Sequence, residues 1–154
     1  MAASARPESL KKRYLLDTSA LLAHLLQESG CEVVERLLET SGAKLAVCIL
    51  TWVEFEIFLN RSTYRAKEKT RILSIYRAAL GDPLPVDEKV GREALLIREA
   101  LGTRIPLTDL LIAACAKANG FVLVYRDKYL TSIPEDVLEQ LRLPSKEART
   151  RQAK

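Results

Sequence analysis

Four acidic residues lie where the chain passes from a strand pattern to a helix pattern, or just inside a helix: Asp17, Glu54, Asp109 and Asp127. Asp17 follows the apolar residues 14–16 and Asp127 follows residues 121–125, which places both at the expected carboxyl ends of strands. Glu54 and Asp109 fall near the amino ends of two predicted helices. In a parallel α/β sheet these positions share one edge, where ligand sites form. The pattern therefore predicts a cluster of carboxylates at that edge.

A cluster of this kind is typical of divalent-cation chemistry. Converging carboxylates repel one another unless a cation lies between them, and hard oxygen ligands favour Mg²⁺ or Mn²⁺ over zinc. One or two such ions activate water and stabilise the charge on a phosphodiester under in-line attack. The chemistry that the four acids predict is therefore metal-dependent phosphodiester hydrolysis.

Each acid also has a simpler structural explanation. Asp17 could cap the helix that follows it, and Glu54 could complete a capping box with Thr51. Asp109 could complement the positive end of its helix, and Asp127 could be a turn residue. For each acid considered alone, the structural explanation is at least as well supported as metal binding.

The surroundings of two of the acids favour the functional interpretation. Asp109 lies in residues 106–118, a segment that is apolar nearly all round and is expected to be buried. Glu54 shares an apolar stripe with Ile57 and Phe58. A buried carboxylate costs several kcal/mol unless it is paired, and the sequence offers no obvious buried Lys or Arg for either acid. A divalent cation would meet the need of both.

The elements that must position these acids alternate between strand and helix. Predicted strands cover residues 14–16, 44–49, 84–86 and 121–125. Predicted helices cover residues 19–28, 32–40, 51–60, 63–80, 88–101 and 106–118, with a short helix beyond Thr131 through Val137, Leu138 and Leu141. Helical crossovers between strands imply parallel pairs. We therefore predict an α/β fold, a three-layer α/β/α sandwich on a mainly parallel sheet, over residues 13–143.

Charge and cysteine content indicate the cellular compartment in which this domain is expected. The chain of 154 residues carries a formal net charge of +4, and its ends, residues 1–12 and 144–154, are expected to be basic flexible tails. No secretory signal and no apolar run of membrane-spanning length is visible. The three cysteines Cys31, Cys48 and Cys115 are predicted to be reduced and buried, with no metal-binding spacing. We therefore expect a cytoplasmic protein that does not enter a membrane.

A run of basic residues precedes and opens the predicted helix 63–80. It includes Arg61, Arg65, Lys67 and Lys69. Such a run is usually a solvated helix face, and the sharper alternative is a surface that contacts the phosphates of RNA.

At this point the sequence resembles the PIN-domain ribonucleases, and within them the VapC-type toxins of type II toxin–antitoxin systems. LLDTSALLAHLL, beginning at residue 15, resembles the first family motif, and ILTWVEFEIF, beginning at residue 49, resembles the second. The long segment from Pro85 to Asp127 resembles the carboxyl-terminal motif. The family acids fall on the four carboxylates named above, and the order and spacing of the motifs are together fairly specific.

The resemblance implies a set of functional expectations. It implies that Asp17, Glu54, Asp109 and Asp127 bind Mg²⁺ or Mn²⁺ and catalyse RNA hydrolysis. Thr18 and Ser19 are candidate hydroxyls beside these ligands, although helix capping alone explains them. The resemblance further implies a cognate antitoxin whose carboxyl-terminal segment blocks the site, and commonly a homodimer. Trp52, Phe55, Phe58 and Tyr64 are candidates for either interface or, more simply, for the core.

One departure from the family pattern keeps other functions open. Tyr125 stands two residues before the last acid, where the family often has Thr or Ser. A catalytically silent PIN-like module that binds RNA or protein is therefore an alternative. A receiver-type signalling domain also places acids at strand ends. It normally needs a Lys at the end of its last strand, where this chain has Arg126 and Asp127.

Overall fold

The computed structural model describes residues 12–145. Its strands are β1 (Arg13–Leu16), β2 (Lys44–Val47), β3 (Val122–Tyr125) and β4 (Gln140–Arg142). They form a four-stranded sheet in the order β2-β1-β3-β4, and every neighbouring pair is parallel. Leu16 is in register with Val47 on one side and with Val124 on the other, so the carboxyl ends of β2, β1 and β3 lie level.

Six α-helices of the described chain connect and cover these strands. They are α1 (Thr18–Leu25), α2 (Cys31–Glu39), α3 (Ile49–Arg61), α4 (Ala66–Leu80), α5 (Glu88–Ala100) and α6 (Leu107–Asn119). A 3-10 helix, Lys128–Ser132, follows β3. Gly120 closes α6 in the left-handed conformation with φ of 70°, as the Asn119-Gly120 signal predicts.

Alternate residues of the strands face two separate apolar cores. Leu15 and Leu123 pack with α5 and α6 on one face of the sheet. Leu16 and Val124 pack with α1 to α4 on the other face. Because side chains alternate along a strand, a sheet covered on both faces needs strands that are apolar throughout. The predicted three-layer α/β/α sandwich with a parallel sheet is confirmed.

Two predicted elements are wrong. Residues 84–86 do not form a strand, because Leu84 makes only an isolated bridge to Cys48 at the edge of the sheet. The predicted helix through Leu141 is also absent. Leu138 closes a turn by donating its N–H to the Pro134 carbonyl at 3.1 Å, and the chain then extends into β4. Pairing with the open edge of β3 prevails there over the helical spacing.

Several smaller expectations are corrected by the packing. The helix predicted from residue 63 begins at Ala66, because the Glu68 side chain accepts the Arg65 N–H at 2.7 Å and fixes the start there. Cys48 and Cys115 are buried free thiols, but Cys31 is only half-buried. His24 lies between Tyr76 and Glu35 and hydrogen-bonds both, which joins three helices.

Other expectations concern the aromatic residues, the tails and membrane association. Trp52 and Phe55 lie in the core, and Phe58 and Tyr64 pack partly buried against it. The predicted tails, 1–12 and 144–154, fall almost wholly outside the described residues. Within residues 12–145, none of the helices combines the length and the apolar character that crossing a bilayer requires.

Candidate functional site

Asp17 ends β1 and is almost completely buried, with 3% of its surface exposed. Its Oδ1 accepts hydrogen bonds from the Ala20 N–H at 3.0 Å and from Ser19 Oγ at 2.7 Å, so it caps α1 as the simpler explanation predicts. Burial nevertheless raises the pKa of Asp17 to about 7, although these hydrogen bonds oppose the rise, and the charges of Asp109 and Asp127 add to it. A helix cap on its own requires neither the burial nor the acidic neighbours.

Asp109 lies in the first turn of α6 and approaches the same edge from the opposite layer. The helix behind it is buried from Ile112 to Ala116, as its apolar composition predicts. Burial raises the pKa of Asp109 to about 6, and the charges of Asp127 and Glu54 raise it further. None of the groups that shift the pKa of Asp17 or Asp109 carries a positive charge. The two acids therefore share an uncompensated negative environment.

Glu54 and Asp127 complete the acidic edge. Glu54 is half-buried on α3, and its Oε1 accepts a hydrogen bond from Thr18 Oγ1 at 2.6 Å. Asp127 follows β3, and its Oδ1 accepts the Tyr129 N–H at 2.9 Å, so it does cap the 3-10 helix.

The capping-box explanation of Glu54 is wrong because α3 begins at Ile49 with Cys48 as its N-cap. Thr51 is therefore inside the helix. Among the described residues its buried hydroxyl has no hydrogen-bond partner. Glu54 therefore accepts a hydrogen bond from Thr18 and does not cap the start of α3.

The two predicted hydroxyls connect the acids. Thr18 binds Glu54, and Ser19 Oγ, besides donating to Asp17, accepts the backbone N–H groups of Arg126 at 2.8 Å and Asp127 at 3.1 Å. Ser19 thus fixes the end of β1 against the end of β3.

Tyr125 turns its hydroxyl toward β4 and donates to Gln140 Oε1 at 2.8 Å. A small hydroxyl beside the acids is supplied by Ser19 and not by this position. The Tyr125 hydroxyl therefore does not replace the small hydroxyl that the family often has at this position.

The donor set fits a hard divalent cation, since it consists of carboxylate oxygens with hydroxyls beside them and no positive charge to balance them. As placed within residues 12–145, no three His, Cys, Asp or Glu side chains form a group that could hold a metal ion. Two of the acids use an oxygen as a helix cap, and Glu54 is held by Thr18. Metal binding would therefore have to draw these side chains closer together.

The basic residues predicted for RNA contact are separate from this edge. Arg61 ends α3, and Arg65, Lys67 and Lys69 lie at the start of α4; Lys69 alone is half-buried. Within the described residues none of the four makes a hydrogen bond or ion pair with the four acids. The structure therefore does not bring the basic run and the acids into contact.

A partly buried ion pair beside the site was not predicted from the sequence. Arg126 Nη2 donates to Glu28 Oε2 at 2.6 Å, and the exposed fractions of the two side chains are 12% and 21%. Arg126 Nη1 also reaches the Ser29 carbonyl at 3.4 Å. The sequence signal for this ion pair is the position of Arg126, a charged residue directly after the fully apolar strand β3.

Comparison with known proteins gives one family and a set of similar folds. The family model described as "PIN domain" matches residues 14–136. A chain of VapBC2 from Rickettsia felis, bound to a DNA fragment from its promoter, is 22% identical, with a TM-score of 0.68 over 86% of this chain and 99% of that one. A chain of DNA-bound VapBC from Salmonella typhimurium is 18% identical, with a TM-score of 0.68 over 85% and 98%.

A third similar structure is VapBC-5 from Mycobacterium tuberculosis, a member of the VapBC family of toxin–antitoxin systems. It is 22% identical, with a TM-score of 0.61 over 84% of this chain and 98% of that one. At these identities the likenesses show a shared fold. No curated protein matches the sequence.

Proposed function

The chain belongs to the PIN domain family, and from that membership we propose that it is a metal-dependent endoribonuclease, the toxin of a VapC-type type II toxin–antitoxin pair. The observation that carries the proposal is the interaction of four carboxylates at one sheet edge without a compensating positive charge. Such an arrangement is unfavourable in the free protein and becomes favourable when a cation binds. It is therefore better suited to metal binding than to a purely structural role.

In this mechanism Asp17, Glu54, Asp109 and Asp127 would hold Mg²⁺ or Mn²⁺. When bound, the ion supplies positive charge to the phosphodiester oxygens and lowers the pKa of a water molecule. Ser19 holds Asp17 through its Oγ–H, and Thr18 holds Glu54 in the same way. Burial raises the pKa of Asp17 to about 7, so Asp17 must lose its proton before it serves as a ligand.

RNA is the proposed substrate. Its phosphates would be held by basic side chains, and Arg61, Arg65, Lys67 and Lys69 are the candidates. Exposure of three of these side chains supports the assignment, because a phosphate contact needs an accessible cation.

A cognate antitoxin and a second copy of the chain are the proposed protein partners. The exposed large apolar side chains on α3, α5 and α6 are Ile49, Val53, Ile57, Leu95, Leu96 and Leu107. Exposed apolar side chains of this number are typical of protein interfaces. We place this activity in the cytoplasm, where the free thiols of Cys31, Cys48 and Cys115 persist.

The test is hydrolysis of a single-stranded RNA with Mg²⁺ or Mn²⁺ by the wild type and by Asp17→Asn and Asp109→Asn. We expect both variants to be slower by about a hundredfold or more, since each loses a charge that the reaction needs. Glu56→Gln is the matched control, because Glu56 lies two residues from Glu54 and binds Trp52 Nε1 at 2.5 Å instead of the acidic edge.

Equal rates for the wild type and both Asn variants would overturn the hydrolytic mechanism. RNA binding without metal-dependent cleavage by the wild type would instead identify the silent binding module. Loss of activity in Glu56→Gln to the same extent would show that the effect of the other variants is not specific to the site.

A further inference from the structure

Tyr129 is an exposed aromatic side chain beside the acidic edge, and the proposed chemistry does not use it. Its exposed fraction is 47%, and its N–H is the group that Asp127 caps. Ser132 Oγ donates to the Tyr129 carbonyl at 2.8 Å, and Leu130, the next residue, is fully buried. The backbone of Tyr129 is therefore fixed from both sides while its ring faces solvent.

An open cavity of about 300 Å³ lies against this ring. It is lined by Thr103, Arg104, Ile105, Lys128, Tyr129 and Ser132. Its two walls belong to the loop that leads into α6 and to the 3-10 helix after β3. Asp109 lies in the first turn of α6, directly after that loop, and Asp127 directly precedes the 3-10 helix, so both walls continue into the segments that carry these acids.

The cavity presents positive charge around an aromatic face. Lys128 Nζ lies 5.5 Å from the centre of the Tyr129 ring, in a cation–π contact. Arg104 is exposed, and it makes no hydrogen bond or ion pair with another residue of the described chain. Ile105 is buried at the base of the cavity and joins the core. A flat apolar group with an anion on its flank is the ligand chemistry that this lining matches.

We propose that this cavity is a binding subsite for one unpaired nucleotide of single-stranded RNA, with the base stacked on Tyr129 and the adjacent phosphate bound by Arg104 and Lys128. The proposal rests on the proposed ribonuclease function and adds to it a binding subsite that requires an unpaired base, because a base in a duplex cannot reach an aromatic face. The subsite would hold a nucleotide close to the bond that is cut.

An acidic peptide would satisfy the two cations but would leave the ring without a planar partner. Nucleobases stack on aromatic side chains with little dependence on sequence, since every base has a π face. The observations thus favour RNA, and a peptide occupant becomes one outcome of the test.

The experiment measures binding of a fluorescent single-stranded RNA of mixed sequence to the metal-free protein in EDTA, where cleavage does not interfere. We expect Tyr129→Leu to bind between about 5-fold and 100-fold more weakly than the wild type, in line with the loss of one stacked base. Tyr129→Phe keeps the ring and should bind within about twofold of the wild type. A duplex RNA should show no difference among the three proteins.

The phosphate contact is tested through the salt dependence of the same binding. Arg104→Ala should make the negative slope of log affinity against log salt concentration shallower by about 0.7, the value for one single-strand phosphate contact. Arg92→Ala is the matched control, because Arg92 is an exposed arginine on α5 that pairs with Glu88 at 3.0 Å, and its slope should be unchanged.

Binding that is the same for wild type and Tyr129→Leu would overturn the subsite, whether or not the protein cuts RNA. Absence of any single-strand binding by the wild type would overturn it as well, and binding of a fluorescent acidic peptide in place of RNA would then identify an acidic peptide as the occupant. Intact Tyr129-dependent binding without metal-dependent cleavage would support the subsite while the ribonuclease function fails, so the two failures are distinguishable.

Discussion

Asp17 carries two properties that its role as a helix cap does not require. It is 3% exposed, and two further acids raise its pKa, so the charged form is disfavoured in the free protein. An Asp that only caps a helix lies at an exposed helix end, where its charge interacts favourably with the helix dipole. The additional burial is explained if the carboxylate faces a bound cation.

The raised pKa of Asp17 predicts how stability depends on pH in the metal-free protein. The folded protein holds this proton up to about pH 7, whereas the unfolded chain loses it near the usual 3.8. The folded state therefore binds more protons across this interval, and the free energy of unfolding falls as the pH rises from about 4 to about 7. Urea unfolding in EDTA at pH 5 and pH 8 measures this fall.

Asp17→Asn removes the titrating group and keeps a side chain that can cap α1. We expect it to exceed the wild type in unfolding free energy at pH 8 by roughly 2–4 kcal/mol and to approach it at pH 5. An Asn variant that is less stable than the wild type at both pH values would show that Asp17 is not under electrostatic strain.

At the scale of elements, Ser19 joins the turn between β1 and α1 to the end of β3. Its Oγ accepts the N–H groups of Arg126 and Asp127 and donates to Asp17. Ser19→Ala leaves two partly buried N–H groups unpaired, so we expect a loss of about 1–3 kcal/mol in unfolding free energy. Ser19→Thr, which restores the hydroxyl, should recover most of it. If the Ala variant and the wild type unfolded with the same urea midpoint, this role of Ser19 would be contradicted.

Arg126 and Glu28 tie the connection between α1 and α2 to the same end of β3. Because the pair is largely buried, removing one partner leaves a desolvated charge. A double-mutant cycle with Arg126→Met and Glu28→Gln should give a coupling free energy of about 1–3 kcal/mol. A coupling near zero in urea unfolding would show that each charge is compensated independently.

The elements differ in how far the sequence determines them. Residues 121–125 are apolar without interruption, so the central strand β3 is readable from composition alone. The edge strand β4 contains Gln140 and Arg142 and owes its conformation to pairing with β3, a contact that local pattern does not encode. Asp17 and Asp127 follow strands and Asp109 lies in the first turn of α6, as the pattern predicts, whereas Glu54 lies in the second turn of α3.

What the sequence could not predict at the site is the pairing of side chains across elements. The link between Thr18 and Glu54 spans 36 positions, and the one between Ser19 and Asp127 spans 108. Such contacts depend on the register of β1 against β3, which no local spacing specifies. The cavity beside Tyr129 could not be predicted for a similar reason, because Arg104, which also lines it, comes from a loop distant in the sequence.

At the scale of the whole molecule, the apolar cores on the two faces of the sheet support different acids. The core under α5 and α6 supports Asp109, and the core under α1 to α4 supports Asp17 and Glu54. The acids of the two layers lie along the carboxyl edge of the sheet, and within residues 12–145 no three of them form a group that could hold a metal ion. Loosening either layer would therefore move one acid relative to the others.

The proposed homodimer gives a prediction at this scale. We expect the wild type to sediment as twice the chain mass of 17.3 kDa and Val53→Glu to sediment as a monomer, since Val53 is 47% exposed on α3 and a charge there disfavours apolar contact. Ile75→Glu, at an exposed apolar residue of α4, is the matched control and should remain dimeric. A monomeric wild type would contradict the dimer.

The central claim is that the four acids form one cation site, and calorimetric titration of Mn²⁺ at pH 7 tests it most directly. We expect wild type and Glu56→Gln to bind Mn²⁺ with release of protons, because carboxyls with raised pKa values must ionise to become ligands. We also expect Asp17→Asn and Asp109→Asn to bind at least about tenfold more weakly. Equal affinity in all four proteins, or no binding by the wild type, would contradict this claim.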